Sequence, residues 1–282
     1  MAVDRLLAER MAHAVEVRYG TTLPALASDT GAEELARILE HSSHRRFQQR
    51  AVEPALLETL FACAFSAPSK SDLQQADVIH VASRGKVQAI ADLVPDMPWI
   101  AEAPVFLVFC GDNRRIRHIG EWRGKPFVND HLDHFMNAAV DAAIVMTTFI
   151  RAAEAVGLGT CPISALRNRP HQLDTLLELP DWVFPIAGLC VGYPVDSGRI
   201  TPRLPLAITV HTDRYDETGL AEKIDGYDRR RHELQPYRKQ RRVSRHGEAA
   251  FYGWSEDKAR QYSVPERADF GAYIRSKRFG LD

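Results

Sequence analysis

Residues 129–156 read NDHLDHFMNAAVDAAIVMTTFIRAAEAV, the longest helix candidate in the chain. Asn129 or Asp130 would cap its start, and Gly157 would stop it. Apolar residues wrap most of the circumference: Ala138, Ala139, Val140, Ala142, Ala143, Ile144, Val145, Met146, Phe149 and Ile150. A helix that is apolar all round has to be covered, either inside a core or between subunits.

Working outward, residues 105–110 are apolar throughout and read as a central strand, with further strands at 77–82 and 184–191. Helical periodicity marks 54–65, where Pro54 suits the first turn and Leu56, Leu57, Leu60, Phe61 and Ala64 recur at helical spacing. Helices are also expected at 4–18, with Leu7, Met11 and Val15 on one stripe, and at 32–39, 170–177, 219–235, 255–262 and 268–276. Strands and helices mix without a regular βαβ alternation, which favours an α+β fold over a doubly wound sheet.

A length of 282 residues allows one large domain or two small ones. Hydrophobic residues at 45% and charged residues at 26% exclude a disordered chain. The 36 basic and 37 acidic residues balance to −1, which argues against a wholly basic nucleic-acid binder. The longest apolar run, 103–110, is far shorter than the ~18 residues that span a bilayer. Residues 1–9 contain Asp4, Arg5 and Glu9 without an apolar stretch, so no secretory signal is expected and a soluble cytoplasmic protein is the default. Cysteines 63, 110, 161 and 190 lie in apolar stretches with no CxxC spacing, so buried, reduced thiols are expected, without disulfides or a zinc site.

The dinucleotide fingerprint and the Walker A loop are both absent. Gly157-Leu158-Gly159-Thr160-Cys161-Pro162 carries proline where a third glycine is needed, and it follows a helix rather than a strand. His131 and His134, beside Asp130 and Asp133, read either as metal ligands or as the polar first turn of the long helix. No third ligand stands at recognisable spacing, so no metal is expected. Cys161 reads either as a nucleophile or as a buried thiol, and the second is favoured because no histidine partner is evident.

The segment His41-Ser42-Ser43-His44-Arg45-Arg46-Phe47 is more informative. On an extended backbone His41, Ser43 and Arg45 point to one side, offering imidazole, hydroxyl and guanidinium donors to a phosphate. The same residues also read as an exposed basic loop. Residues 229–246 hold eight cations against Glu233 alone, leaving the rest of the chain acidic.

Taken together with four later strings, His41–Phe47 resembles the flavin-binding motif of the nitroreductase superfamily. Those strings are Ala67-Pro68-Ser69-Lys70-Ser71-Asp72-Leu73-Gln74, the run from Ala153 through Gly157 and Gly159 to Leu166-Arg167-Asn168, Leu189-Cys190-Val191-Gly192-Tyr193-Pro194, and Pro202-Arg203-Leu204-Pro205. All five stand in the family's order over about residues 38–210. Tyr252-Gly253-Trp254-Ser255-Glu256 and the run Arg267 to Tyr273 resemble the C-terminal segments of its NADPH-preferring nitroreductase and flavin reductase branch.

The resemblance implies a central, mostly antiparallel sheet flanked by helices, in a domain-interlocked homodimer with FMN at the interface. It implies an FMN-binding core (38–215) and a helical C-terminal extension with a basic loop (216–282); residues 1–37, without a counterpart in the family pattern, are read as an N-terminal helical extension. His41 and Ser43 would hold the FMN phosphate, with Arg203 supplying the main charge, and Arg45 would sit by the flavin ring. Ser69 and Gln74 would meet the ribityl chain or ring edge, and backbone N–H groups at Ser164 and Ala165 would face N5. Hydride would pass from NAD(P)H through flavin N5 to a nitroaromatic, quinone or flavin acceptor, with no side chain acting as acid or base. Ser71, Asp72, Arg167 and Arg267 are candidates for substrate contact, and Arg238, Arg241, Arg242 and Arg245 for the phosphates of NADPH.

Some positions depart from the family pattern. Thr201 replaces a lysine, Asp72 an asparagine or aromatic, and Ser164-Ala165 a glycine pair, while no glutamine stands near Asp96-Met97. These departures leave two other readings open: a specialised member, such as a dehalogenase or flavin-cleaving enzyme, and a flavin-loaded sensor without turnover. Neither a nucleic-acid nor a membrane partner is expected.

Overall fold

The computed structural model describes residues 4–22, 24 and 30–282. The chain divides into two compact units, Ser43–Gly198 with Arg267–Asp282, and Met1–Ser42 with Arg199–Glu266.

The first unit is built on β1 (Ala76–His80), β2 (Val105–Asp112), β3 (Gly159–Ile163) and β4 (Val183–Gly192), in the order β1-β2-β4-β3 with every pair antiparallel. This is the α+β architecture expected from the sequence. Side chains alternate along β2. Val105, Leu107 and Phe109 pack with Leu57 and Leu60 of the Pro54–Phe65 helix and with Val145 and Phe149 of the Leu132–Ala155 helix. Phe106, Val108 and Cys110 join Val87 and Ile90 of the Arg84–Asp92 helix and Leu173 of the Pro170–Leu177 helix. Helices cover both faces, so residues 105–110 lack the polar alternation of a half-solvated strand. Each Leu or Phe fully buried here contributes roughly 1.5–3 kcal/mol.

The long helix runs Leu132–Ala155 and starts later than the sequence implied, with His131 at the N-cap and no side-chain cap. Asp130 is engaged elsewhere, accepting the Gly280 N–H at 3.1 Å and Arg117 Nη2 at 2.7 Å. Gly157 does end the helix, at φ +79°. Within one chain the helix is not covered all round: Leu132, Met136 and Val140 are 51%, 56% and 46% exposed along one stripe. By length and composition it is long and apolar enough to cross a membrane. Its inner face, however, is part of the sheet core, with Ala138, Ala142 and Phe149 fully buried.

Cys63 is exposed, against expectation, while Cys110, Cys161 and Cys190 are buried and all four are free thiols. The Pro54–Phe65 helix turns Leu57, Leu60 and Ala64 inward, which puts Cys63 on its outer side with Thr59. The elements that lacked a strong sequence signal include β3, Arg84–Asp92 and Arg114–Trp122. β3 contains glycine and proline, which strands disfavour, and Pro162 is tolerated because β3 lies at the sheet edge.

In the second unit, Arg5–Tyr19 packs against Ala32–Glu40, and Leu220–Leu234 against Trp254–Tyr262. Two arginines close helix ends. Arg18, 4% exposed, donates to the carbonyls of Leu39, His41 and Thr201 at 2.5, 2.5 and 3.2 Å. Arg230 donates to those of Glu16, Val17 and Arg18 at 3.3, 3.0 and 2.7 Å. A cation at a helix C-terminus meets both orphan carbonyls and the negative dipole end. Gly20 follows at φ +65°, where a Cβ would lie 2.6 Å from Arg230 Cδ.

Candidate functional site

The His41–Phe47 segment is extended where it enters the sheet unit. Ser43 bridges Thr160 of β3 in parallel, the His44 N–H donates to the Thr160 carbonyl at 2.8 Å, and Phe47 bridges Pro194. Backbone approach at β3 requires Gly159, since a Cβ there would lie 2.8 Å from the His44 ring. Ser42 and Phe47 are buried and Ser43, Arg45 and Arg46 are exposed, so burial does not follow the strict two-residue alternation expected of an extended segment. Arg45 stands 5.8 Å from the Trp99 ring centroid and has no carboxylate partner among the described residues. Burial pushes the nearby Cys161 thiol up, so it is no ready nucleophile.

The Ser69–Gln75 loop depends on a residue that sequence reasoning did not single out. Asp141, 2% exposed in the middle of the long helix, accepts Ser69 Oγ at 2.8 Å, the Lys70 N–H at 3.1 Å and the Gln75 N–H at 3.2 Å. Ser69 Oγ in turn accepts the Gln74 N–H at 2.8 Å, and Gln74 Nε2 donates to Asp72 Oδ1 at 3.0 Å. Ser71, Asp72 and Gln74 all adopt left-handed φ, at 50°, 57° and 51°. Such conformations are costly for non-glycine residues and persist only where surrounding contacts impose them. A cavity of about 380 Å³ opens over Ser69, Asp72, Gln74 and Asp141. The structure therefore links three of the sequence candidates in one chain of hydrogen bonds, Asp72 to Gln74 to Ser69, which Asp141 anchors at Ser69. The signal was a lone acid in an otherwise apolar helical run.

Behind the loop lies a buried polar chain. Gln75 Nε2 donates to Asn113 Oδ1 at 2.7 Å, and Asn113 Nδ2 donates to the His134 carbonyl at 3.1 Å. The His134 ring lies 4.9 Å from Phe127, and burial holds its imidazole below the usual histidine range. His131 instead is exposed at the helix N-cap. Among the described residues no three His, Cys, Asp or Glu side chains gather where a metal ion could sit. Arg115 ties the far side, donating to the Gln74 carbonyl at 2.5 Å and pairing with Asp77 and, at 3.0 Å, with Asp112.

Ser164 and Ala165 begin a short 3₁₀ turn after β3, Ser164 exposed and Ala165 buried. Arg167, in the same turn, donates to the Ile186 carbonyl, and burial together with the Arg267 charge lowers its pKa. Arg267 donates to Asn168 Oδ1 at 2.7 Å. Both guanidinium groups line a cavity of about 370 Å³ walled by Phe135, Phe184 and Phe270. Cations above an aromatic floor suit a flat, electron-poor or anionic guest.

The other candidates belong to the second unit. His41 is half-buried, its carbonyl taken by Arg18. Arg203 is exposed and anchored through its backbone N–H to the Arg18 carbonyl at 2.7 Å, with its guanidinium 2.5 Å from Thr201 Oγ1 and no carboxylate partner among the described residues. It lines a cavity of about 640 Å³ with Tyr227, Arg231, Tyr237, Trp254 and Lys258.

Of the four basic-loop arginines, two are committed to the fold. Arg241 Nε pairs with the buried Asp257 at 3.1 Å, and Arg242 Nε donates to the Arg260 carbonyl at 3.1 Å. Gln240 pairs twice with the Ala249 backbone, at 2.9 and 2.8 Å, so the segment is pinned at several points. Arg238 and Arg245 are exposed. The Trp254-Ser255 motif also has a structural role: the Ser255 N–H donates to the buried Asp228 at 3.0 Å, and a Cβ at Gly253 would lie 2.5 Å from that carboxyl carbon.

The chain is similar to known proteins in sequence and fold. The defining pattern of the nitroreductase family matches residues 38–193, and that of the nitroreductase family C-terminal domain matches 201–282. An FMN reductase [NAD(P)H] of Bacillus subtilis is 37% identical over 199 residues, 70% of this chain and 80% of that protein. The structure of B. megaterium NfrA2 superposes with a TM-score of 0.80 at 32% identity, covering 89% of this chain and 99% of that one. The NADPH:FMN oxidoreductase of Vibrio harveyi, solved in complex with NAD+, gives 0.75 at 28%, covering 86% and 97%.

Proposed function

The chain belongs to the nitroreductase family, and we propose that it is an FMN-dependent oxidoreductase that takes hydride from NAD(P)H and reduces a nitroaromatic, quinone or flavin acceptor. The observation that carries this reading is the donor set of Ser43 and Arg45, both exposed on the segment that bridges β3 at Thr160, with Arg45 free of any carboxylate partner among the described residues. Hydroxyl and uncompensated guanidinium donors fit a phosphorylated, electron-accepting cofactor. FMN, when bound, supplies the two-electron chemistry, and the chain binds, orients and tunes.

In this reading Ser43 and His41 donate to the cofactor phosphate and Arg203 neutralises it. Arg45 places positive charge at the isoalloxazine edge that becomes electron-rich on reduction. Ser69 and Gln74, fixed by Asp141, hold the ribityl chain or ring edge, and the backbone at Ser164 and Ala165 faces the reacting side. Arg167 and Arg267 receive the acceptor or the nicotinamide, with Ser71 and Asp72 at the rim. Arg238 and Arg245 are the loop arginines left to attract NADPH phosphates. The exposed Leu132, Met136 and Val140 stripe supports a homodimer, since an apolar patch on a long helix is normally covered. Free, mostly buried thiols suit the cytoplasm.

Purified protein should be yellow, release FMN and not FAD on denaturation, and turn over NADPH with a quinone or nitroaromatic. A colourless protein that cannot be reconstituted with FMN, or one that carries FMN but never oxidises NAD(P)H, would overturn the reading.

A further inference from the structure

We infer that Arg115, held by the carboxyl pair Asp77 and Asp112, is a positioning residue that clamps Gln74 beside its cavity and makes acceptor affinity fall as pH rises through neutrality. The link to turnover rests on reading the chain as an NAD(P)H-dependent flavin enzyme.

Gln74 lines the cavity of about 380 Å³, yet its backbone stands in the left-handed region at φ 51°. A non-glycine residue stays there only while its surroundings hold it. Two backbone bonds do so. Its N–H donates to Ser69 Oγ at 2.8 Å, and its carbonyl accepts Arg115 Nη1 at 2.5 Å. The first bond leads back to Asp141 through Ser69. The second leads to the carboxyl pair, because Arg115 Nη2 meets Asp77 Oδ1 and, at 3.0 Å, Asp112 Oδ2.

Two carboxyl groups on one guanidinium nitrogen cannot both ionise without repelling each other. They are not equally free to respond. Asp112 is 5% exposed, and its Oδ1 accepts the N–H groups of Arg114 and Arg115 at 2.6 and 3.0 Å, so it is pinned. The Asp77 side chain is 38% exposed and can turn to water. Burial and Asp112 push Asp77 up to about 7, against the pull of Arg115. Below that pH the protonated Asp77 carboxyl donates to Asp112, and the three groups close on one another. Above it the proton leaves to solvent and the two anions repel. Asp77 then swings outward and draws the guanidinium off the Gln74 carbonyl.

The other neighbours do not supply this titration. Asp77 pairs with Cys110 across β1 and β2, so both side chains point to one face of the sheet. Burial keeps the Cys110 thiol from ionising, and its further charged neighbours, Asp174 and Lys277, are paired with each other at 2.8 Å. On the helix that carries Arg115, Arg117 and His118 turn to Asp130 and Glu121. The long helix, with Asp141, packs on the opposite face against Ala76 and Val78.

The test uses FMN-loaded protein at pH 6 and 8.5, with a neutral quinone as acceptor so that the substrate itself does not titrate. In the wild type KM for the quinone should rise about three- to tenfold over this range, with kcat changing less. Hydrogen exchange at Gln74 and Gln75, corrected for the intrinsic effect of pH, should quicken in parallel. Asp77→Asn mimics the protonated acid and should hold both readouts at their wild-type pH 6 values throughout. Arg115→Gln should show the high KM and fast exchange at both pH values, and Arg115→Lys should recover part of the difference. Circular dichroism and thermal midpoints check that each variant folds.

The inference is overturned if Asp77→Asn keeps the wild-type pH dependence, or if folded Arg115→Gln matches the wild type at pH 6. Exchange at Gln74 that ignores pH in the wild type overturns it as well. A yellow, active protein with any of these results refutes the clamp alone. A protein without flavin turnover, in which exchange at Gln74 still follows Asp77, refutes the enzyme reading and leaves the clamp standing.

Discussion

Replacing Asp141 with alanine should damage the site without touching any group that meets substrate. The carboxylate accepts three hydrogen bonds, at 2.8, 3.1 and 3.2 Å, from Ser69, Lys70 and Gln75. Bonds to a charged acceptor contribute about 1.5–3 kcal/mol each, so the gross loss is roughly 4.5–9 kcal/mol. Not all of it is realised. Ser69 and Lys70 are partly or fully exposed and can turn to water, whereas Gln75 is 1% exposed and its N–H cannot. Relaxing the left-handed residues returns about 1–3 kcal/mol for each that escapes. A net destabilisation of about 3–5 kcal/mol is therefore expected for Asp141→Ala, against about 1–2 kcal/mol for Asp141→Asn, which keeps one acceptor oxygen. Urea unfolding followed by tryptophan fluorescence gives the first number, and hydrogen exchange at residues 69–75 shows whether the loss is local. FMN retention should fall with loop order. If Asp141→Ala costs under about 1 kcal/mol and leaves exchange at Gln75 unchanged, the loop is held by something else.

Other expectations follow from single features. Burial and the neighbouring Asp112 carboxylate push Asp77 up to about 7, against the pull of Arg115. A carboxyl raised on folding contributes stability at low pH that is lost as pH climbs through about 7. The stability of wild type relative to Asp77→Asn should thus decline between about pH 4 and 7, and parallel pH profiles would refute this. Arg203→Ala should weaken FMN binding by about one to two decades, more than Arg167→Ala, read by flavin fluorescence on dilution. Light scattering should return twice the chain mass, and Met136→Glu with Val140→Glu should shift it towards one chain; a monomeric wild type contradicts the interface. Gly188→Ala should lower the thermal midpoint, because a Cβ there would meet Phe106 at 2.6 Å and Leu166 at 2.8 Å.

The elements legible in the sequence were those with one dominant physical cause. Pro54 and the Leu57, Leu60 and Ala64 stripe mark a helix that runs Pro54–Phe65, and the unbroken apolar run at 105–110 marks the strand covered on both faces. β3 was hidden because edge position, and not composition, permits Pro162. Asp130 looked like a cap because its tie to Gly280 spans 150 residues, beyond any local pattern. Ser69, Asp72 and Gln74 were found by motif, yet the bond chain that links them is anchored at Ser69 by Asp141, on a helix read only for its apolar residues. The basic segment shows the reverse limit. Its arginines look alike in sequence, while the fold sends Arg230 to a helix end, Arg241 to an ion pair and Arg231 to a cavity.

The guanidinium that closes the first helix arrives late in synthesis. Arg230 bonds the carbonyl of Arg18 across 212 residues of chain. At about 5–20 residues per second a ribosome needs about 10–40 s to bridge that gap. Through this interval the Arg5–Tyr19 helix has left the ribosome without the arginine that satisfies its last turn, and so short a helix is marginal in water. The strands of 76–192, by contrast, are complete once Gly192 has emerged. The beginning of this chain is thus among the last parts to settle, and truncation anywhere before Arg230 leaves its first helix end without that partner.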